Sequence, residues 1–350
     1  MKAAILADDT TGALEAGAIL AGQAIRCQVL LEGFEANVDA VVVTTESRHL
    51  PPGEAAARVD TALRSLRDAG VTWFYKKTDS TLRGNIASEF EALLDASPGV
   101  PLVYVPAYPA VGRAVRNGVL FVNGRPVAET EFRNDPHNPV SESSVVQVVE
   151  GRYPAVSIAR PGPAIGGGAR LIVCDASTDE DLSAIAAELQ SLGRTFLAAG
   201  PAGFIRHWAA IAGLESAARR RAPVATSCLF VCGSRHPVSR RMNVPDEMLS
   251  TPDEFDPDPA AVAERLAQQV RERLDTHDFD ALVVFGGDTT AAVLRSLEIR
   301  RLQPIGEVMP GVPVSLAKFR GWPFTLVTKA GGFGGDDTAI RISRWLKGER

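Results

Sequence analysis

Short β-branched and apolar runs alternate along this chain with Ala/Leu/Glu/Arg segments of helical period. That is the pattern of parallel βα units rather than of a sandwich, so the fold class is α/β. In the first half the runs predict strands at Lys2–Ala7, Cys27–Leu31, Ala40–Thr44, Trp73–Lys76 and Leu102–Pro106, with helices at Thr11–Gly22, Pro52–Ala69 and Asn85–Leu94. From Ala107 to Val140 the periodicity gives way to Gly, Pro and Asn punctuation, the mark of a long excursion with a short hairpin around Asn123–Gly124. Alternation resumes after a Gly/Pro-rich patch, Pro161–Gly168, with a strand at Ala169–Cys174, a helix near Asp179–Ser191 and a strand at Thr195–Ala199. A further strand, Cys228–Cys232, precedes a Pro/Asp-rich insertion over Pro245–Pro259. Then come a long helix at Ala260–Leu274, a strand at Ala281–Phe285, a helix at Thr289–Leu297, and strands at Val312–Leu316 and Phe324–Thr328. The expected architecture is two α/β domains, 1–222 and 226–350, with largely parallel sheets and a ligand cleft between them.

Each predicted strand tends to end in a cluster of Gly, Asp, Ser, Thr or Arg and then enter a helix. In an open parallel sheet the carboxyl ends of the strands open on the crevice where ligands bind. The clusters are Asp8-Asp9-Thr10-Thr11-Gly12, Glu46-Ser47-Arg48, the run Lys76-Lys77-Thr78-Asp79-Ser80-Thr81-Leu82-Arg83-Gly84, Pro106-Ala107-Tyr108-Pro109 with Gly112-Arg113, and, in the second half, Gly233-Ser234-Arg235, Gly286-Gly287-Asp288-Thr289 and Lys329-Ala330-Gly331-Gly332-Phe333-Gly334.

The two glycine-rich turns of the second half let bare backbone N–H groups approach a phosphate at a helix N-terminus, with Lys329 supplying a cation and Ser234 a hydroxyl. Together they suggest a site for a nucleotide polyphosphate, although any one of them alone reads as a tight turn. Neither a Walker A motif nor GxGxxG is present. In the first half Arg48, Lys76, Lys77 and Arg83 crowd beside hydroxyls and carboxylates. A guanidinium fork suits a carboxylate, and Asp8, Asp9 and Asp79 can accept hydrogen bonds from hydroxyls, so the crevice fits a small polyhydroxy acid. Helix capping is the plainer reading of those aspartates, but it does not account for both signs of charge in one turn.

Composition narrows the partners. Among 350 residues, 37 basic and 42 acidic side chains leave a formal net charge of −5, which gives no reason to expect nucleic acid or an anionic membrane as a partner. No apolar run approaches the ~18 residues of a membrane span. Asp8 and Asp9 interrupt the amino-terminal apolar run before a signal peptide could form, and Cys27, Cys174, Cys228 and Cys232 read as buried free thiols, so the expected location is a reducing cytoplasm. His49, His137, His207, His236 and His277 show no metal-binding spacing.

At these residues the sequence resembles the four-carbon acid sugar kinase family. The most specific parts are Ala7-Asp8-Asp9-Thr10-Thr11-Gly12-Ala13, Lys77-Thr78-Asp79-Ser80-Thr81-Leu82-Arg83-Gly84, Pro106-Ala107-Tyr108-Pro109 with Gly112-Arg113, Gly286-Gly287-Asp288-Thr289 and Lys329-Ala330-Gly331-Gly332-Phe333-Gly334. The resemblance implies ATP- and Mg²⁺-dependent phosphorylation of a terminal hydroxyl of threonate, erythronate or a 3-oxo-tetronate. Substrate contacts would be Asp8, Arg48 and the turn Lys77, Thr78, Asp79, Ser80, with Arg83 nearby and Asp9 beside Asp8. ATP contacts would be Ser234, Gly286, Gly287, Asp288, Thr289, Gly331, Gly332 and Gly334. Lys329 would stabilise the transferring group, and Asp79 is preferred as general base over Asp8, Asp9 and Asp288. The family usually follows Gly-Ser with small residues and threonine, whereas this chain has Arg235-His236-Pro237. An aldolase, dehydratase or dehydrogenase of hydroxy acids, and a sensor that binds without turnover, are the competing readings. The assembly is open, a homodimer included.

Overall fold

The computed structural model describes residues 1–34, 37–158, 168–193, 195–216, 220–234, 237–251, 258–330 and 334–349. Of the residues expected to matter, Gly331 and Gly332 lie outside the described residues, as do Arg235, His236 and Phe333. The chain divides into two compact units, Met1–Ala16 with Phe34–Ser216, and Gly17–Gly33 with Ala217–Arg350.

In chain order the elements begin β1 (Ala3–Ala7), α1 (Thr10–Gly22), β2 (Cys27–Leu30), β3 (Ala40–Thr44), α2 (Pro52–Asp68), β4 (Trp73–Lys77), α3 (Ile86–Asp95) and β5 (Leu102–Tyr104). There follow β6 (Arg113–Arg116), β7 (Val119–Val122), β8 (Arg125–Pro126), α4 (Val145–Val149), β9 (Ala155–Ile158), β10 (Leu171–Cys174), α5 (Asp179–Ser191), β11 (Leu197–Gly200) and α6 (Ile205–Ile211). The remainder is β12 (Cys228–Cys232), α7 (Pro237–Arg241), β13 (Glu247–Ser250), α8 (Pro259–Thr276), β14 (Ala281–Phe285), α9 (Gly287–Ser296), β15 (Arg301–Met309), β16 (Val312–Phe319), β17 (Trp322–Lys329) and α10 (Thr338–Leu346).

The first unit carries an all-parallel sheet in the order β3-β1-β4-β11-β5-β10-β9. Most of its strands are apolar without alternation, and β1 and β10 are buried at every position, whereas β4 ends in Lys76-Lys77 and the edge strand β9 is partly exposed. Such runs are what a sheet covered on both faces requires. The chain leaves β1 for β3 on one side and returns to β4 on the other, so β1 is a topological switch point, the place where a crevice opens above the strand ends. The excursion after β5 folds as a three-stranded antiparallel ribbon, β6-β7-β8. Asn123 (φ +50°) and Gly124 (φ +82°) form the two-residue turn from β7 to β8, as the Asn-Gly signal predicts.

The second unit pairs β13, β12, β14 and β17 in parallel and continues antiparallel through β16, β15 and β2. One core cluster joins Phe230, Val283, Phe285, Val314 and Val327 to Ile342 and Leu346 of α10. Two of its strands escape the sequence pattern. β15 contains Pro304 and Gly306, residues that normally argue against a strand, and its register shifts there, which is where a proline can be accommodated in a ladder. β13 lies in the stretch read as an insertion and is largely exposed, so it carries no apolar run to detect. No helix among the described residues is long and apolar enough to cross a membrane, and all four cysteines are buried and free.

Candidate active site

In the first unit, the ends of β1, β3 and β4 lie side by side, because Ala7 pairs with both Thr44 and Lys77. Asp8 and Asp9 therefore meet Arg48 although 40 residues separate Asp8 from it in sequence. Arg48 grips Asp8 with both arms of its fork, Nε to Oδ2 at 2.7 Å and Nη2 to Oδ1 at 2.9 Å, while Nη1 donates to Asp9 Oδ2 at 2.8 Å. Its Nη2 also lies 3.8 Å from Asp79 Oδ1. Arg83 repeats the arrangement on Asp79, with Nε to Oδ2 at 3.0 Å and Nη2 to Oδ1 at 2.8 Å, and reaches Asp135 Oδ2 at 3.0 Å with Nη1. The result is one continuous chain of alternating charge, Asp9–Arg48–Asp8 linked through Asp79 to Arg83 and Asp135.

The local turns follow from these contacts. Asp9 does cap α1, accepting from the Gly12 N–H at 2.9 Å. Asp79 instead accepts from the Thr81 N–H at 2.9 Å and from the Thr81 hydroxyl, and it caps no helix. Gly84 adopts φ +92°, a conformation that disfavours other residues, and a Cβ there would approach Arg48 Cγ at 3.2 Å. Lys77 is buried, with Nζ 3.5 Å from Glu15 Oε2 and 3.1 Å from the carbonyl oxygen of Thr78. The Thr78 hydroxyl lies 3.4 Å from the Tyr104 phenol, and Ser80 is half-buried in the same turn.

Electrostatics distinguish the carboxylates. Burial pushes Asp79 up, but Arg83 and Arg48, with the bonds from Arg83 and Thr81, hold it well below the usual carboxylate range. Asp8 is likewise lowered, by Arg48 against its burial. Glu15 moves the other way: burial raises it despite the nearby Lys77. Asp79 is thus a fixed anion and a good hydrogen-bond acceptor with little affinity for a proton. Arg113, quoted in a motif but not among the expected contacts, is shifted down by burial and feels Asp79, Glu131, Arg83 and Glu15. Glu15, Arg113 and Asp135 extend the site beyond the sequence expectation.

In the second unit, β12, β14 and β17 are parallel neighbours, so Gly233-Ser234, Gly286–Thr289 and Lys329 come to one edge of the sheet. The Gly233 and Ser234 N–H groups both donate to the carbonyl of Phe285, at 3.0 and 3.2 Å. Gly286 N–H donates to the Lys329 carbonyl at 2.9 Å. These bonds lock the two glycine turns together and leave the first-turn amides of α9, at Gly287, Asp288 and Thr289, pointing past the helix end. A Cβ on Gly233 would fall 1.8 Å from Thr289 Oγ1, and Gly286 holds φ +115°. Bare backbone is therefore required on this edge, as a cradle for phosphate demands. Asp288 is exposed in the first turn of α9. Gly334 (φ +81°) packs on Thr338, whose hydroxyl accepts from the Gly335 N–H at 2.8 Å.

Lys329 is fully buried, donates to Ser239 Oγ and the Ala330 carbonyl at 3.0 Å each, and lies 5.1 Å from the Phe285 ring centroid. Burial lowers its pKa to about 8. Were Lys329 to meet a polyphosphate, as the sequence expects, the ammonium form would be the binding form, and kcat/KM for the nucleotide is expected to fall as pH rises through about 8. Stability moves oppositely. Between about 8 and the ordinary lysine range the unfolded chain binds the extra proton, so this group makes folding more favourable as pH rises. A pH–rate profile beside melting curves at pH 7 and 9 checks both signs. Among the described residues no group of three His, Cys, Asp or Glu side chains is placed to hold a metal ion.

One unit thus carries an acid-rich, arginine-braced crevice at its strand ends, and the other carries glycine turns that bring bare backbone to the start of α9. Two family models match the chain, a sugar-binding N-terminal domain over residues 3–208 and a nucleotide-binding C-terminal domain over residues 208–339. The D-threonate kinase of Bordetella bronchiseptica is 31% identical over 99% of this chain and 98% of its own length. The 3-oxo-tetronate kinase of Brucella melitensis is 27% identical over 95% of this chain and 93% of its own. A crystal structure from Salmonella typhimurium LT2 superposes with a TM-score of 0.81 at 23% identity, covering 98% of this chain and 99% of that one. The chain belongs to the four-carbon acid sugar kinase family.

Proposed function

We propose that this enzyme transfers the γ-phosphoryl group of ATP to a terminal hydroxyl of threonate, erythronate or a 3-oxo-tetronate, with residues 1–222 holding the acid and residues 226–350 the nucleotide. The observation that carries the reading is the Asp9–Arg48–Asp8 and Asp79–Arg83 chain, which offers fixed anionic acceptors to hydroxyls beside the cations Lys77 and Arg113. Thr78 and Ser80 add hydroxyls on the same turn. Lys77 and Arg113 draw the substrate carboxylate, and Asp8, Asp9 and Asp79 accept from its hydroxyls.

Phosphoryl transfer through a loose transition state needs in-line positioning and charge neutralisation more than a strong base. Asp79, held well below the usual carboxylate range, fits that need: it orients the attacking hydroxyl and takes its proton only as the O–P bond forms and the bond to ADP breaks, when that oxygen has become strongly acidic. The amides of Gly287, Asp288 and Thr289, with Ser234 and Gly334, cradle the phosphates, and Lys329 stabilises the charge that builds on the transferring group. Asp288, with the nucleotide itself, would hold Mg²⁺, and the ion would supply neutralisation of the phosphate charge. The four free thiols favour a reducing cytoplasm.

The direct test is a coupled ADP-release screen of D- and L-threonate, D- and L-erythronate and the 3-oxo-tetronates with ATP and Mg²⁺. Turnover of one stereochemical class is expected to exceed the rest by at least about tenfold, the discrimination that a site with buried polar partners provides. Release of no ADP with any of them sinks the proposal.

A further inference from the structure

Asn85 stands at the N-cap of α3, where an asparagine side chain ordinarily accepts from the first-turn amides, yet it makes no capping bond. Its Nδ2 donates instead to the carbonyls of Leu50 at 2.8 Å and Ser47 at 2.9 Å, with that of Arg48 at 3.4 Å. One helical turn on, Glu89 lies on the buried face of α3, only 1% exposed. One of its oxygens accepts from the Ser47 hydroxyl, and the other pairs with the buried ammonium of Lys76 at 3.0 Å. Ser47 Oγ in turn lies 2.7 Å from Thr45 Oγ1, and the Ser47 and Arg48 N–H groups both donate to the Asp8 carbonyl, at 3.0 and 3.2 Å.

The segment 45–50 is thus pinned on one side by β1 and on the other by α3. A buried ion pair is a weak source of stability, and an asparagine that declines to cap leaves helix amides to be satisfied elsewhere. Both features have a purpose if the turn must be immobile. Arg48 has to hold Asp8 through both arms of its fork while reaching Asp9, a geometry that tolerates little displacement. A shift of about 1 Å in a positioning group can cost on the order of a hundredfold in rate.

We propose that Asn85 and Glu89 are positioning residues of the acid-sugar site, acting through the guanidinium of Arg48. The inference rests on the reading that Arg48 belongs to the acid-sugar pocket. Kinetics on the full-length enzyme, with the best four-carbon acid from the screen, separate the two ideas. Asn85→Ala is expected to raise KM for the acid about 10–30-fold and to leave KM for ATP within about twofold. In an Arg48→Ala background the same substitution adds less than about twofold, because its route of action is already gone. Ser47→Ala, which removes the hydroxyl that meets Glu89 and Thr45 but leaves the three carbonyls held by Asn85, gives a smaller loss in the same parameter and serves where Asn85→Ala folds poorly. If Asn85→Ala or Ser47→Ala lowers affinity for both substrates alike, or acts by the same factor with and without Arg48, the positioning role is overturned while the pocket stands. If Arg48→Ala itself leaves the acid KM unchanged, the pocket reading falls, and this inference with it.

Discussion

Asp79→Asn lowers kcat by about 10²–10³-fold while KM for ATP stays within about twofold. The substitution is isosteric and removes one charge. Arg83 keeps Asp135 at 3.0 Å, and Arg48 keeps Asp8 and Asp9 at 2.7–2.9 Å, so the turn retains its other anchors and the protein folds. What disappears is the fixed anion proposed to orient the attacking hydroxyl. Stability carries a second signature. Asp79 is depressed in the folded state, so its contribution is present above the ordinary carboxylate range and is lost as pH falls through its lower folded value. The wild type should therefore lose more stability than Asp79→Asn on acidification from pH 7 to pH 3, as denaturant titrations at the two pH values will read. Unchanged turnover in the Asp79→Asn enzyme removes this carboxylate from the reaction.

Gly233→Ala acts at the other end of the chemistry. The added methyl group would sit 1.8 Å from Thr289 Oγ1, 2.8 Å from its Cβ and 3.0 Å from its Cγ2. Thr289 belongs to the first turn of α9 and is buried, so the conflict can be relieved only by moving the helix start or the Gly233–Ser234 turn. Either movement misplaces the amides proposed to hold the phosphates. KM for ATP is expected to rise at least about a hundredfold, with a loss of about 1–3 kcal/mol in stability from overpacking. Thr289→Ala in the same chain removes the two outer atoms and leaves one close contact at 2.8 Å, so it should restore part of the ATP affinity. Equal ATP affinity in wild type and Gly233→Ala would detach this turn from the nucleotide.

Much of this was legible in the residue order because the chemistry sits where strands end. A run such as Ala3–Ala7 followed by Asp8-Asp9 announces both a buried strand and what it carries at its tip. Pairings were not legible. Arg48 and Asp8 are 40 residues apart, and Arg83 and Asp135 are 52 apart, distances that only the sheet order and the ribbon excursion close. An arginine expected to wait for a substrate carboxylate proved to hold the protein's own, since a buried guanidinium needs counter-charges before any ligand arrives. Glu89 did leave a trace: it occupies the apolar stripe of α3 with Ile86, Phe90 and Leu93, where a carboxylate has no place unless something buried receives it. Strand β15 left none, because Pro304 and Gly306 look like punctuation until the register shift beside them is seen.

The interlocked charges have an evolutionary corollary. Asp9, Arg48, Asp8, Asp79, Arg83 and Asp135 each answer to at least one other member, so a lineage that altered a single link would strand its neighbour's charge inside the protein. Drift toward a new acid is therefore barred along that chain unless compensating changes arrive together. The open route runs through residues that border the chain without bracing it, and divergence among sugar preferences should accumulate there, on the ribbon that bears Arg113 before anywhere else.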